Sequence, residues 1–474
     1  MGTDAASALL AELASLLGPA GLLTAEADID PYGEDWRRLC HNPPLAVARP
    51  ASTAEVAAVV RAAAAKGVGI VPQGGNTSLV VGAVPTAPHA QLVLSLSRMR
   101  AVRAVDALEL TLTAEAGVTL QAAQQAADAA GCLLPLSIGA EGTAQLGGIL
   151  ATNAGGNNTL RYGNARDLVL GLEVVLPDGC VWEGLRRLRK DNTGYCLRQL
   201  FVGSEGTLGI ITACVLKLAP RPRATAVTLC AVPSVAAALA LLARLQGFDA
   251  ALLQAFEYMS GEGMALVLRH MPENRLPLAG PSPHYVLVEL ATPRPDSTLE
   301  ETLENLLAAA MEAGDVTDAV VAQSGSQRAA LWRLREEHSE SQKRAGANVK
   351  NDVSVPIAHL PEFIERASAA VRGLVADVRI APFGHLGDGN VHFNLVQPEG
   401  MDPAAFLAKE EALTEAVCTV VMDLGGSFSA EHGIGALKLP LMALWRGGPE
   451  LELMRRIKAA IDPRGLMNPG KLLP

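Results

Sequence analysis

The sequence predicts an α+β protein with two domains and a helical C-terminal segment. Three glycine-dense segments lie in apolar sequence before residue 220, strand-like and helical segments alternate beyond residue 224, and the end of the chain has a helical pattern before a Gly/Pro tail. The 474 residues are 49% hydrophobic and 19% charged, which is typical of an ordered chain long enough for more than one core. We place the three regions at residues 1–220, 221–422 and 423–474.

The first region opens with signals for a helix, a strand and a glycine loop. Residues 52–55 (Ser-Thr-Ala-Glu) form a capping box, and the helix that follows is expected to end near Gly67. The β-branched run 68–71 predicts a strand that ends at Pro72. The loop that follows suits a phosphate, because glycine lets backbone N–H groups approach an anion, although a plain turn explains it equally well. Its residues are Gly74, Gly75, Asn76, Thr77 and Ser78.

Two further glycine-dense segments, at 138–156 and 203–211, lie in apolar sequence. Each alone is explained by tight packing between elements, whereas the three together favour a large enclosed cofactor. None matches the dinucleotide fingerprint or the P-loop, which disfavours a nicotinamide or nucleoside-triphosphate site.

A proline-bearing stretch at 218–223 predicts a domain boundary. Beyond it the sequence predicts strands near 224–231, 250–257, 285–291 and 316–321, alternating with helices that start near 234, 259, 297 and 325. This alternation predicts an α+β domain with helices over one face of a sheet.

Residues 384–394 (Gly-His-Leu-Gly-Asp-Gly-Asn-Val-His-Phe-Asn) predict a hairpin that holds a metal. Asp388-Gly389 favours a type I′ turn, which would place His385 directly opposite His392. Downstream, Glu431 offers a carboxylate and His432 a third imidazole. Two His and one Glu form a common catalytic set, suited to zinc but also to iron or manganese; the alternative is a pair of unrelated strand histidines.

Composition excludes several functional classes. A net charge of −10 without a basic run argues against a nucleic-acid partner. Seven scattered cysteines without a C-x-x-C motif are typical of a reducing compartment. The N-terminal residues 1–18 predict an amphipathic surface helix rather than a signal peptide, and no apolar run approaches the ~18 residues of a membrane span. These observations predict a cytoplasmic protein.

Seven motifs occur in order along the chain. They are 72–77 (Pro-Gln-Gly-Gly-Asn-Thr), 151–156 (Ala-Thr-Asn-Ala-Gly-Gly), 189–195 (Arg-Lys-Asp-Asn-Thr-Gly-Tyr), 203–209 (Gly-Ser-Glu-Gly-Thr-Leu-Gly), 385–392 (His-Leu-Gly-Asp-Gly-Asn-Val-His), 431–435 (Glu-His-Gly-Ile-Gly) and 468–471 (Asn-Pro-Gly-Lys). With them the sequence resembles the flavin-dependent 2-hydroxyacid dehydrogenases of the vanillyl-alcohol oxidase type, and most of all the branch that acts on D-2-hydroxyglutarate. The resemblance covers nearly the whole chain.

The resemblance implies a vanillyl-alcohol-oxidase-type FAD-binding domain followed by an α+β substrate (cap) domain. FAD would be held by the three glycine-dense segments and the C-terminal tail. Asn76 stands where some relatives carry a histidine bound covalently to flavin, so the cofactor is expected to be non-covalent. The implied FAD residues are Gly74, Gly75, Asn76, Thr77, Ser78, Gly139, Gly142, Thr143, Gly148, Thr152, Asn153, Glu205, Gly206, Ile210 and Asn468.

The resemblance also implies a substrate site at Arg335, Ser339, Lys350 and Asn394. Arg335 and Ser339 lie four residues apart in a helical pattern, hence on one helix face. Lys350 lies in a strand-like run, and Asn394 lies two residues past His392, on the same face if the strand continues. A solvated charged helix is the alternative for the arginine. Two cations together suit a substrate with two carboxylates.

The reaction implied is the metal-assisted oxidation of a D-2-hydroxy acid, D-2-hydroxyglutarate to 2-oxoglutarate above all. His385, His392 and Glu431 would hold the metal, His432 would accept the hydroxyl proton, and a hydride would pass to FAD. The alternatives are a D-lactate or other D-2-hydroxyacid dehydrogenase (a glycolate-oxidase-like subunit), a non-redox FAD-dependent ether-forming transferase, and an electron-transfer subunit without a substrate. The electron acceptor is left open between an electron-transfer flavoprotein and a quinone-linked one, and a homodimer is an open possibility.

Overall fold

The chain folds into two compact units. The structure is a computed structural model that describes residues 3–295 and 298–474. Unit 1 comprises the chain up to Gly155, Gly163–Arg221 and His432–Pro474, and unit 2 comprises Gly156–Tyr162 and Pro222–Glu431. The boundary between Arg221 and Pro222 lies inside the proline-bearing stretch at 218–223. Residues 423–431, predicted from the sequence to lie in the C-terminal segment, belong to unit 2.

Unit 1 contains a four-stranded sheet in the order β1-β2-β4-β3, a five-stranded antiparallel sheet in the order β5-β6-β10-β8-β9, and the pair β11-β7. The strands are β1 (Leu22–Leu23), β2 (Ala46–Ala48), β3 (Ile70–Gln73), β4 (Leu92–Ser95), β5 (Val102–Asp106), β6 (Thr111–Glu115), β7 (Cys132–Leu133), β8 (Val169–Val175), β9 (Val181–Gly184), β10 (Ile210–Lys217) and β11 (Ala219–Pro220).

The helices before residue 221 are short, apart from the first, third and fourth. They are α1 (Thr3–Gly21), α2 (Glu26–Ile29), α3 (Thr53–Lys66), α4 (Leu120–Ala129), α5 (Leu146–Ala151), α6 (Thr159–Tyr162, in unit 2), α7 (Ala165–Leu168) and α8 (Arg198–Phe201). Helix α3 starts and ends where the sequence indicates. The Ser52 side chain accepts from the Glu55 backbone N–H, and Gly67 ends the helix in the left-handed conformation.

Unit 2 is built on a seven-stranded sheet in the order β15-β12-β14-β13-β19-β20-β17, with a three-stranded sheet in the order β16-β21-β18. Its strands are β12 (Ala224–Val232), β13 (Leu253–Ser260), β14 (His284–Thr292), β15 (Asp318–Val321), β16 (Asn348–Val349), β17 (Asp352–Ser354), β18 (Arg379–Ile380), β19 (Phe383–Gly384), β20 (Asn390–His392) and β21 (Leu395–Val396). Its remaining helices are α9 (Val235–Asp249), α10 (Gly261–His270), α11 (Leu299–Glu312), α12 (Gly325–Glu336), α13 (His338–Ala345), α14 (Leu360–Leu374), α15 (Pro403–Leu407) and α16 (Glu410–Asp423).

Helices cover both faces of the large sheet, so the prediction of one covered face is wrong. Successive residues of a strand point to opposite faces. On β14, Val286 and Val288 pack in a core with α9, α11, α14 and α16. Tyr285 and Leu287 pack in a second core with α10 and α12. Strands buried on both faces lose the apolar–polar alternation that would have revealed this.

The predicted hairpin at Asp388-Gly389 differs in register. Leu386–Asp388 forms a 3₁₀ turn, and Gly389 is left-handed at φ +87. His392 therefore pairs with Phe383 rather than with His385. The two imidazoles are nevertheless neighbours, with ring centroids 5.7 Å apart. A glycine is required at 389 because an added Cβ would lie 2.4 Å from the Val355 carbonyl oxygen.

The predicted helix 325–343 is two helices, because α12 ends at Glu336 and α13 begins at His338. The end of the chain forms α17 (Leu439–Trp445) and α18 (Pro449–Ile461) before the Gly/Pro tail. Within the described residues, no helix combines the length and apolarity that crossing a membrane requires.

Candidate active site

The first two glycine-dense segments pack backbone against backbone in unit 1. A Cβ on Gly75 would lie 2.0 Å from the Thr143 carbonyl oxygen, so only glycine fits there. A Cβ on Gly74 would lie 3.7 Å from the Gly148 backbone nitrogen. Gly74 and Gly75 follow β3, while Gly148 lies in α5. The loop and the helix thus form one continuous backbone surface.

The third segment and the C-terminal tail join this surface. The Glu205 backbone N–H donates to the Ala151 carbonyl at 2.8 Å, beside α5. Asn468 donates from its side chain to the carbonyls of Gly82, at 3.0 Å, and Glu205, at 2.7 Å. Residues almost 400 positions apart in sequence are therefore held at one place in unit 1.

Four residues of this surface have left-handed backbones although they are not glycine: Asn76, Asn153, Glu205 and Asn468. All four are among the residues that the resemblance implies for FAD. Such conformations are unfavourable for side-chain-bearing residues and are concentrated at functional sites.

The surface has the properties that a flavin nucleotide requires. The backbone N–H groups of residues 75–78 donate to no other group in the described parts of the chain. An added Cβ at Gly139 or Gly148 would meet no described atom within 4 Å. Backbone N–H groups without a partner in the protein can form an anion cradle, and a flat ring can lie against bare glycine backbone.

Three buried polar atoms strengthen this fit. Gln145 Oε1, Asn468 Oδ1 and Lys471 Nζ lack a hydrogen-bond partner among the described residues. Burial lowers the pKa of Lys471 to about 8. Unpaired buried polar atoms are rare in folded proteins and call for an external partner. Lys471, at 3% exposure, was missed by the sequence-based prediction, although its motif was recognised.

The other implied FAD residues have local roles. The Ser78 hydroxyl accepts from the backbone N–H groups of Val80 and Gly82. The Thr152 hydroxyl donates to the Gly148 carbonyl at 3.0 Å. An added Cβ on Gly206 would lie 3.0 Å from Pro72. Thr77 follows Asn76 in the first loop, Gly142 lies in the 138–156 segment and Ile210 begins β10.

In unit 2, the structure brings His385, His392 and Glu431 together. His385 Nε2 lies 3.7 Å from Glu431 Oε1, and His392 Nε2 lies 3.8 Å from Glu431 Oε2. The Nε2 atom of each ring thus faces the Glu431 carboxylate. Glu431 is held there because its backbone N–H donates to Asp352 Oδ2 at 2.9 Å.

A second carboxylate lies behind each ring. Glu257 Oε1 is 2.8 Å from His385 Nδ1, and Asp352 Oδ1 is 3.6 Å from His392 Nδ1. A carboxylate on one imidazole nitrogen leaves the other nitrogen to act as a metal ligand. Glu257 and Asp352 were missed by the sequence-based prediction. Glu257 could have been predicted because it is a single acidic residue within an otherwise apolar strand.

Asp352, His392 and Glu431 each offer one ligand atom within 4.8 Å of the others. This group contains two of the three predicted ligands; the predicted base, His432, follows Glu431 in the chain. Asp352 also accepts from Asn390 Nδ2 at 3.0 Å. His385 lies outside the group but is near Glu431.

The site contains buried acids that resist ionisation. Burial raises the pKa of Glu431 to about 7 and that of Asp388 to about 6. Burial alone would lower the pKa of His385, but the Glu257 carboxylate outweighs it and raises that pKa to about 9. Carboxylates that resist ionisation beside imidazoles are suited to a divalent cation, which compensates their charge.

The predicted substrate residues lie in the same unit. Lys350 Nζ donates to Ser339 Oγ at 3.0 Å, so these two residues are neighbours. Arg335 lies at the end of α12 and Ser339 in α13, so the single helix face expected for them is wrong. Arg335 is buried and binds Glu257.

Asn394 lies beyond the end of β20, so its expected place on the strand face of His392 is also wrong. Its side chain donates to Gln342 Oε1 at 2.9 Å, and it is buried.

Comparison with protein families decides the class. Residues 44–184 match the FAD binding domain, and residues 221–472, more than half of the chain, match the C-terminal domain of FAD linked oxidases. The chain belongs to the FAD-linked oxidases. The predictions of FAD as cofactor and of an FAD-dependent oxidoreductase are confirmed.

Curated relatives of this FAD-linked oxidase cover nearly its full length. It is 41% identical to D-2-hydroxyglutarate dehydrogenase of Xanthomonas citri pv. viticola, over 95% of this chain and 94% of the relative. It is 36% identical to the protein of that name from Stutzerimonas stutzeri, over 98% of each chain. The mitochondrial enzyme of Bos taurus is 37% identical, over 96% of this chain and 82% of the relative. The resemblance inferred from the seven motifs is confirmed.

Solved structures confirm the predicted fold. A p-cresol methylhydroxylase structure superposes with a TM-score of 0.78 at 16% identity, over 99% of this chain and 97% of the other. An alkyldihydroxyacetonephosphate synthase superposes with a TM-score of 0.73 at 18% identity, over 98% and 84%. At such identities the likeness concerns the fold alone, which is of the vanillyl-alcohol oxidase type.

Proposed function

We propose that this FAD-linked oxidase oxidises a D-2-hydroxy acid to the 2-oxo acid, with D-2-hydroxyglutarate as substrate and a divalent metal, zinc above all, as a second cofactor. The observation that carries the metal is the matched environment of His385 and His392. Each has a carboxylate behind Nδ1 and directs Nε2 towards Glu431. The names of the relatives support the substrate.

In this proposal each unit binds different groups. Unit 1 would hold FAD non-covalently at the glycine-dense segments, with Asn468 and Lys471 supplying polar groups. Unit 2 would hold the substrate and, through His385, His392 and Glu431, the metal. When bound, the metal acts as a Lewis acid on the substrate hydroxyl and FAD accepts the hydride.

His432 acts as the general base in this proposal. It follows Glu431, a proposed metal ligand, directly in the chain. It would take the hydroxyl proton while the Cα hydride leaves, and the alcohol would thereby lose two electrons and two protons in the form of one proton and one hydride.

Substrate recognition rests on cations and hydrogen-bond donors of unit 2. Arg335 would bind one carboxylate through the guanidinium N–H groups that Glu257 does not engage, and Lys350, braced by Ser339, would bind the other as a point charge. The Asn394 amide would donate to the substrate once released from Gln342. Two cations favour a diacid over D-lactate.

The electron acceptor and the location belong to the same proposal. Reduced FAD would be reoxidised by an electron-transfer flavoprotein or a quinone-linked acceptor. None of the seven cysteines, all of which lie within the described residues, forms a disulfide, which supports the cytoplasm as the compartment.

The test is anaerobic mixing of the purified protein with D-2-hydroxyglutarate, with its L-enantiomer as matched control, and with D-lactate, while flavin absorbance is followed. We expect bleaching by the D-diacid alone. Bleaching by D-lactate with little response to the diacid would contradict the two-cation site. No bleaching by any of the three in metal-loaded protein would contradict the proposed substrate class.

A further inference from the structure

Glu257 is a buried acid in the central part of the large sheet of unit 2. Its strand, β13, is otherwise rich in apolar side chains, and Glu257 is only 1% exposed. Because residues two apart share a strand face, Glu257 lies on the same face as Met259. That face packs against α12, which carries Arg335. A carboxylate in such a place requires partners of its own.

Two functional side chains supply those partners. Glu257 Oε2 accepts from Arg335 Nε at 2.8 Å and lies 2.7 Å from Arg335 Nη2. Its other oxygen, Oε1, lies 2.8 Å from His385 Nδ1. One carboxylate therefore joins the proposed carboxylate-binding arginine to a proposed metal ligand. The arginine is further fixed by the Phe383 ring, whose centroid lies 4.9 Å from the guanidinium carbon.

The strength of this bridge follows from its charge and its burial. Charge-assisted hydrogen bonds in a dry environment are short and strongly directional. Both oxygens are engaged, so Glu257 is not a group that binds substrate.

We propose that Glu257 is a positioning residue that fixes the distance between Arg335 and the proposed metal ligand His385, and thereby the spacing between the groups that would bind the substrate carboxylate and the metal. The inference rests on the proposed function, since it takes Arg335 as a substrate-binding group and His385 as a ligand. It adds a residue that couples metal binding to substrate binding.

Glu257→Gln is the sharpest variant. Both partners of Glu257 are donors, whereas the amide of glutamine has one accepting oxygen and a donating NH₂ group. The glutamine can therefore satisfy Arg335 or His385 but not both. The volume of the side chain is almost unchanged, so cavity effects are small.

Glu289→Gln is the matched control. Glu289 lies on the adjacent strand β14, where it pairs across from Ala255, and is largely buried. Its carboxylate accepts from Gln254 Nε2 and from Trp332 Nε1, each at 2.6 Å. Trp332 is three residues from Arg335 on α12, so this variant perturbs the same helix and sheet without touching the bridge.

The experiment measures Co²⁺ binding to FAD-loaded protein by titration and by the visible ligand-field spectrum, together with KM and kcat for D-2-hydroxyglutarate. In Glu257→Gln we expect Co²⁺ affinity to fall by about 10–100-fold, the range typical for loss of a carboxylate behind a metal-bound histidine. We also expect a changed spectrum and a KM raised about tenfold. Glu289→Gln should keep the wild-type affinity and spectrum.

Wild-type Co²⁺ affinity, spectrum and KM in folded Glu257→Gln would overturn the inference. Equal losses in both variants, with a common drop in melting temperature, would also overturn it, because they indicate a merely structural role. If Glu257→Gln does not fold, Glu257→Asp replaces it; a shorter carboxylate keeps the charge but cannot reach both partners, so wild-type behaviour there would reject positioning. Failure of wild-type protein to bind Co²⁺ would instead reject the proposed function.

Discussion

The two candidate sites are built from different parts of the chain. In unit 1 the cofactor surface is mostly backbone: glycines that pack within contact distance, and left-handed residues such as Asn76 and Glu205. In unit 2 the site consists of buried ionisable side chains, with Glu257 and Asp352 behind two imidazoles. A surface made of backbone selects its ligand by shape and by the positions of its N–H donors. A cluster of buried charges is stable only when each charge has a partner of opposite charge or a hydrogen bond. Substitutions should therefore act sterically in the first site and electrostatically in the second.

The largest effect should come from loss of the proposed general base. His432→Ala removes the proposed base, so kcat for D-2-hydroxyglutarate should fall by about 10²–10⁴-fold, the usual contribution of general base catalysis. FAD and metal contents, measured by absorbance and elemental analysis, should stay at wild-type levels. Metal lost together with activity would make His432 a ligand, and normal turnover would exclude both roles.

A methyl group added to the backbone surface of unit 1 should weaken FAD binding without destabilising the fold. A Cβ at Gly148 meets no described atom within 4 Å, and alanine is favoured over glycine in a helix by up to about 1 kcal/mol. We expect Gly148→Ala to keep the melting temperature of the apoprotein while FAD affinity, measured by fluorescence titration, falls by about tenfold or more. Gly247→Ala in α9, another helical position with open space, is the control. Unchanged FAD affinity in Gly148→Ala would remove this surface from the cofactor site.

A smaller effect is expected at Lys350, where a substitution should raise the KM for a diacid more than the KM for a monoacid. Lys350→Ala removes a proposed carboxylate partner, and a lost charged hydrogen bond is worth about 1.5–3 kcal/mol. KM for D-2-hydroxyglutarate should rise by about 10–100-fold, whereas the weak activity expected with D-lactate should change little. Steady-state kinetics with both acids makes the comparison, and Lys343→Ala, on the neighbouring helix α13, is the control. Equal changes with both acids would assign Lys350 to a general structural role.

The smallest effect concerns the stability of the apoprotein. Burial lowers the pKa of Lys471 from 10.5 to about 8, so the folded chain holds fewer protons than the unfolded chain between those pH values. Unfolding then takes up a proton, and the contribution of Lys471 to stability rises with pH across that window. We expect the melting temperature of the wild type relative to Lys471→Met to increase by about 1–2 °C from pH 8 to pH 10. A constant difference would show that Lys471 is solvated.

The sequence by itself determined the features that depend on local conformation. Glycine loops, the helix cap at Ser52 and the alternation of strands and helices beyond residue 224 follow from the conformational limits of a few adjacent residues. The seven motifs were sufficient for the family, and they included His385, His392 and Glu431. The register of the 384–394 turn was wrong because a 3₁₀ turn competes with the type I′ turn for the same residues.

Only the tertiary structure decided which charges meet. Glu257 and His385 are 128 residues apart in sequence, and they meet because β13 pairs with β19 at Tyr258 and Gly384. Arg335 reaches the same carboxylate because α12 packs on the sheet face to which Glu257 points. The order of the strands and the sheet face to which each side chain points are set by the burial of the whole core, to which every strand contributes. They cannot be read from any short segment of the sequence. The sequence therefore indicated the candidate metal ligands, while the fold brought the carboxylates behind them.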